Sequence, residues 1–142
     1  MAVYSLARRT TNVTIANPCI EIIAGAYHAV RIIEISIILA GATAVTLGIG
    51  RPAVLGVTPT TPVNCLPEDT SDTMYPFTTA LAWATPPTVP ANFQRRITLP
   101  NAVGAGIVLP FSQGFHIEPA ASLVVWNITT NDVCDINIIA EI

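Results

Sequence analysis

Lysine is absent from this sequence, and charge of either sign is scarce: six arginines (Arg8, Arg9, Arg31, Arg51, Arg95 and Arg96) and nine acids make up 11% of 142 residues. An ordinary soluble domain carries roughly 25% charged residues. A globule of this length leaves much of its surface in water, and charged side chains normally keep that surface soluble and free of apolar patches. With 51% hydrophobic residues, part of the surface is expected to be covered by a partner. Arginine tolerates desolvation and offers a planar fork to carboxylates, so a chain whose only strong cations are arginines leans toward interfaces. An arginine-preferring coding composition gives the same absence.

Other absences exclude function classes. No basic stripe is present and the net charge is −3, which argues against nucleic-acid binding. The three cysteines, Cys19, Cys65 and Cys134, lie far apart without CxxC or HxxxH, so no zinc site is signalled; reduced, buried thiols are expected. Glu68, Asp69 and Asp72 lack the full oxygen-ligand pattern of a calcium loop and read as a solvated loop. The amino-terminal MAVYSLARRTTNV has an arginine pair with no uninterrupted hydrophobic segment behind it, so neither a Sec nor a Tat signal is expected. The uncharged run from Ile35 to Gly50 is too short for the ~18 residues of a membrane span, and Gly41, Gly48 and Gly50 break it.

Catalytic signals are equally thin. His28 and His116 are the only ordinary general bases near neutral pH, and nothing in their spacing brings a nucleophile to them. The GxGxxA-like stretch Gly48 to Ala53 follows a predicted strand, but the prolines after it forbid the helix a phosphate site needs; glycines that let a strand turn or a neighbouring backbone approach explain it better. The sequons Asn12-Val-Thr14 and Asn127-Ile-Thr129 are short matches in a Thr- and Asn-rich chain. No catalytic residue, cofactor, metal or small-molecule substrate is assigned.

What is present is β-forming. Twelve prolines punctuate the chain, leaving no interval for a long amphipathic helix, and the residues between them are Ile, Val, Thr and aromatics. Val30 to Leu39 alternates apolar and polar residues, and Ala44 to Ile49 forms a second strand after the turn at Ala40-Gly41. Residues 52–92 hold eight of the twelve prolines and read as a long ordered excursion anchored by Tyr75, Phe77, Leu81 and Trp83, with a short strand over Ala80 to Ala84. Phe93 to Leu99 and Gly106 to Phe111 are expected to pair around Pro100-Asn101, followed by a short strand from Gly114 to Glu118. Ser122 to Asn127 and Asp135 to Ile142 flank a hairpin-type turn at Thr129 to Asp132. In the last strand Ile136, Ile138, Ala140 and Ile142 share one face. The expectation is a single all-β domain over residues 1–142, a β-sandwich or jelly roll of about eight short strands with a long Pro/Thr-rich excursion.

Arg95 and Arg96 fall on opposite faces of their strand, so that one can reach a partner; a solvated arginine on each face is the alternative. With Trp83, Phe93 and Phe111 they are the candidate partner-binding residues. Trp83 or Trp126 would be the stacking platform of a sugar-binding jelly roll.

The segments GRPAVLGVTPTTPV (Gly50 to Val63), LAWATPPTVPANFQRRITLP (Leu81 to Pro100) and EPAASLVVWNITTNDVCDINIIAEI (Glu118 to Ile142) resemble small virion proteins of tailed bacteriophages. The features are short β-rich segments, a Pro/Thr-rich excursion carrying LAW, and a closing xPxxSLxxWN motif; Ala120 stands where such proteins usually have glycine. The resemblance implies a non-enzymatic capsid decoration (cement) protein on the virion surface, made in the host cytoplasm without a signal peptide. Its implied partners are itself, as a dimer or trimer, and the major capsid protein. A tail, baseplate or head-fibre subunit is the alternative within the virion, and a carbohydrate-binding module the alternative outside it.

Overall fold

The computed structural model of the chain describes residues 2–11, 17–129 and 132–142. Among them are thirteen strands and no helix: β1 (Val3–Arg9), β2 (Pro18–Ala24), β3 (Val30–Leu39), β4 (Val45–Gly50), β5 (Val57–Pro59), β6 (Val63–Asn64), β7 (Leu66–Pro67), β8 (Phe77–Ala80), β9 (Trp83–Thr85), β10 (Arg95–Leu99), β11 (Gly106–Ile117), β12 (Ser122–Asn127) and β13 (Cys134–Glu141).

The two halves of the chain pair as one antiparallel ribbon, β1 with β13, β2 with β12, β3 with β11 and β4 with β10. Val3 faces Glu141, Gly106 faces Ile38 and Leu99 faces Val45, so partner numbers add to 144 in each, and the chain doubles back about Asp72. The ribbon is then rolled until β13 lies beside β3 and β12 beside β4. Two nested Greek keys result, which is a jelly roll. One sheet runs β11-β3-β13-β1-β7 and the other β10-β4-β12-β2-β8-β6, with β5 and β9 as a separate small pair.

Side-chain alternation explains why the sheets stack. Ile35 and Ile37 of β3 and Ile136 and Ile138 of β13 point inward from the first sheet, meeting Ile20, Ile22, Leu47, Ile49, Leu123 and Val125 of the second in one buried core. Each fully buried aliphatic side chain stabilises the fold by about 1.5–3 kcal/mol of transfer free energy, before entropy is charged against it.

The outer face of the second sheet is also covered. Residues 51–94 leave β4 and return to β10 across it, bringing Phe93 over Gly48 and Pro90 over Gly50. A Cβ on Gly48 would stand 2.5 Å from Phe93 Cδ1, so these glycines are the places where the excursion lies against the strand. Glu21 anchors the same region. Although on the outer face, it is completely buried, and its carboxylate accepts hydrogen bonds from Ser122 Oγ at 2.7 Å, Trp83 Nε1 at 2.7 Å and the Gly56 amide at 3.1 Å.

Several expectations are corrected here. The strand number exceeds eight because β5 to β9 form within the excursion, β6, β7 and β8 extending the two sheets at one edge and β5 and β9 making their own pair; the other eight strands make the rolled ribbon. The strand expected over Ala80 to Ala84 is instead the end of β8 and the start of β9. β10 and β11 do not pair with each other: residues 100–105 carry the chain from one sheet to the other, and each strand joins a partner from the first half. β12 and β13 likewise lie in opposite sheets, so the turn between them is a crossover; Thr130 and Asn131 lie outside the described residues. The two segments expected at 106–111 and 114–118 are one strand, interrupted by a register shift between Pro110 and Phe115. Ile35 to Gly50 divides into strands of opposite sheets, and among the described residues no helix is long and apolar enough to cross a membrane. Ala120 adopts φ +57°, the left-handed conformation that glycine takes most easily.

Candidate functional site

The register shift in β11 builds the most distinctive surface of the molecule. Gly114, at φ +72°, lets the chain bulge where Arg31 packs against it. On either side of this bulge Phe111 and Phe115 turn toward each other, centroids 4.6 Å apart at 88°, an edge-to-face contact worth about 0.5–1.5 kcal/mol beyond burial.

Two arginines reach this aromatic pair from the second sheet. Arg95 occupies the first position of β10, on the face that carries the buried Ile97 and Leu99. At the open side of the sandwich its guanidinium lies 5.7 Å from the Phe111 ring and 5.4 Å from the Phe115 ring. Arg51, just beyond β4, stands 5.8 Å from the Phe115 ring and donates from Nη1 to the His116 carbonyl at 2.6 Å. Both lie within the range of cation–π attraction, about 0.5–1 kcal/mol each when exposed. Both arginines are exposed residues, and among the described residues neither has a carboxylate partner.

The surface continues as an apolar ledge. β11 is the edge strand of its sheet, with Val108 59% exposed and Ile107 36%, and Val103 of the preceding crossover is 70% exposed. Pro110 sits on this edge beside the register shift, where a residue without an N–H suits a sheet. Long apolar edges are templates for association.

Of the five candidate residues, Arg95 and Phe111 come together here. Arg96, opposite Gly48 in the β4 pairing, projects from the other face of β10, as alternation requires. Phe93 lies over Gly48 and Trp83 bonds Glu21, so both hold the excursion onto the sheet. Arg51 and Phe115 were not singled out by the sequence; only the stacking of the two sheets, which sets the end of β4 in one against β11 in the other, places them together. Trp126 is only 5% exposed, so it offers no open ring face to a sugar.

The remaining polar groups serve the fold. Tyr4 Oη donates to Asp72 at 2.5 Å, and Ser5 Oγ to Glu68. Burial and then the Asp72 contact push the Tyr4 phenol up to about 12. Burial drives the Cys19 thiol up to about 12 and the Cys134 thiol to about 11; Cys65 is raised as well. All three cysteines are buried and free, the opposite of an activated nucleophile. His28 and His116 are exposed, with His116 Nδ1 3.8 Å from Glu118. Asn127 is fully buried, unsuited to glycosylation, and the Asn12 sequon lies outside the described residues. No group of three or more metal-binding side chains occurs among the described residues. Comparison with family models, with curated proteins and with solved structures finds no match.

Proposed function

We propose that this chain is a structural virion protein, a capsid decoration protein that binds and stabilises a lattice of major capsid protein. The observation that carries the reading is the open β10/β11 edge, where exposed arginines without carboxylate partners adjoin exposed apolar side chains. Aromatic and arginine side chains are what protein interfaces enrich. Low overall charge supports the same reading, because a surface poor in ionic groups is best suited to being covered. A cement protein works by binding the assembled lattice better than the dissociated one, which stabilises the lattice by mass action and calls for no chemistry.

The test is particle biochemistry. The protein is expected to co-purify with filled heads at near-stoichiometric copy number, and heads lacking it are expected to break at lower temperature or lower salt. Few copies per particle, lost together with tails, would assign it to the tail or baseplate instead. Binding of the isolated protein to a glycan array, abolished by Trp83→Ala, would make it a carbohydrate-binding module. A purified chain with no affinity for particles overturns the proposal.

A further inference from the structure

We infer that copies of this chain associate head to tail, the arginine-bearing β10/β11 edge of one seating on the acidic β1/β7 edge of the next. The inference shares the β10/β11 edge with the capsid reading but does not rest on that reading. It follows from how unpaired charge is distributed over the sandwich. Two arginines are neutralised within the chain, Arg9 by Asp135 and Arg31 by Glu141. Arg51 and Arg95, without carboxylate partners among the described residues, both stand at the side where β10 and β11 end their sheets.

The opposite side carries the complement. β7 ends the first sheet beyond β1, and the chain leaving it presents Glu68, Asp69 and Asp72. Their partners are hydroxyls and amides: Ser5 for Glu68, Ser71 for Asp69, and Tyr4 and the Met74 amide for Asp72. These bonds hold the Asp69 and Asp72 carboxyls below the usual carboxylate range, so they stay ionised at neutral pH. None of the three makes an ion pair among the described residues, and Arg8 of β1 donates instead to Thr79 Oγ1 at 2.9 Å.

Each edge also carries apolar surface. Close in sequence to the acids, Leu66 is 59% exposed and Tyr75 54%, and along the arginine-bearing edge Val108 of β11 is 59% exposed. Exposed ion pairs are individually weak, so the apolar contact supplies affinity while the charges set orientation. A two-fold, like-on-like contact would bring arginine to arginine or acid to acid, whereas a head-to-tail contact satisfies both edges. Such a heterologous interface closes into a ring when its rotation allows and otherwise continues as a filament.

The experiment is a charge swap, read by sedimentation velocity of the purified full chain at low ionic strength. Wild type is expected to sediment as an oligomer and to dissociate as salt is raised, because exposed charges are screened. Arg51→Glu/Arg95→Glu carries two acidic edges and Glu68→Arg/Asp69→Arg two basic ones, so each alone is expected to be monomeric. Their equimolar mixture restores complementarity and is expected to recover the oligomer. Circular dichroism of each variant matching wild type establishes folding, and the mixture's recovery is itself evidence that both are folded. A monomeric wild type, oligomers that survive either double substitution, or a folded mixture that stays monomeric would each overturn the inference. None of these outcomes touches the particle-binding assay, so this inference and the capsid reading fail separately.

Discussion

Replacing Glu21 by alanine is the sharpest test of how the excursion is held. The carboxylate is fully buried, with Ser122 and Gly56 on one oxygen and Trp83 on the other. Hydrogen bonds to a charged group contribute about 1.5–3 kcal/mol each, and a buried donor left without an acceptor costs about 1–3 kcal/mol. Ser122 is buried and has no water to turn to, whereas the partly exposed Trp83 and Gly56 regain solvent in part. The sum expected for Glu21→Ala is therefore about 3–5 kcal/mol, a large share of the ~5–15 kcal/mol that holds a domain together. Glu21→Gln keeps one acceptor for Ser122 and Gly56 but turns an amide N–H₂ toward the Trp83 N–H, so about 1–3 kcal/mol is expected. Urea unfolding followed by tryptophan fluorescence measures both, at fixed protein concentration because association shifts apparent stability. Amide exchange over residues 51–94 should rise before that of β3 and β13. If Glu21→Ala leaves the midpoint where it was, or Gln proves worse than Ala, the anchoring argument is wrong.

Two further outcomes are expected. Gly48→Ala places a methyl 2.5 Å from Phe93 Cδ1 and 2.9 Å from Ile128 Cδ1; overpacking of this kind costs about 1–3 kcal/mol, and Phe93→Ala in the same chain should recover part of it in calorimetry. Stability should also fall at both extremes of pH. Asp72 is held low by the Tyr4 hydrogen bond and Asp135 by Arg9, so their contribution is present above the unfolded carboxylate value and disappears as pH drops through the folded one. Tyr4 is raised to about 12, so its contribution is whole below the unfolded phenol value near 10 and is lost as pH climbs toward 12. Tyr4→Phe should lessen the alkaline loss, leaving the part that comes from the buried thiols of Cys19, Cys65 and Cys134, and should weaken the acid one, as urea midpoints across pH would reveal.

Local pattern was enough for some of this fold. Alternation marked β3 at its observed ends and assigned the inward face of β13, because a sheet with one face in a core repeats every two residues, and the apolar run before a polar turn marked β12 at its observed ends, although all six of its residues are buried. It said little about β1, where Val3, Ala7 and Arg9 blur the contrast, or about β2, where six of seven residues are buried on two covered faces and alternation vanishes. Pairing was not legible at all. Leu99 and Gly106 are close in the chain and read as a hairpin, but no local signal distinguishes a turn from a crossover, and what decides is the roll of the whole ribbon. For the same reason Arg95 and Phe111 stood out as residue types, while Arg51 and Phe115 gained significance only when β4 and β11 were placed. The glycines at 48 and 50 were legible as sites of close approach, and Phe93 and Pro90 are what approaches.

The position of β13 between β3 and β1 has a consequence for synthesis on the ribosome. The strand that completes the first sheet emerges after all the others, so until residue 141 clears the exit tunnel both β1 and β3 present bare hydrogen-bonding edges and half of the core is open. Contacts this distant in sequence are slow to form. The nascent polypeptide therefore passes through a sticky, unfinished stage, and chaperone capture at that stage, or release of truncated products into inclusion bodies, would follow from topology alone.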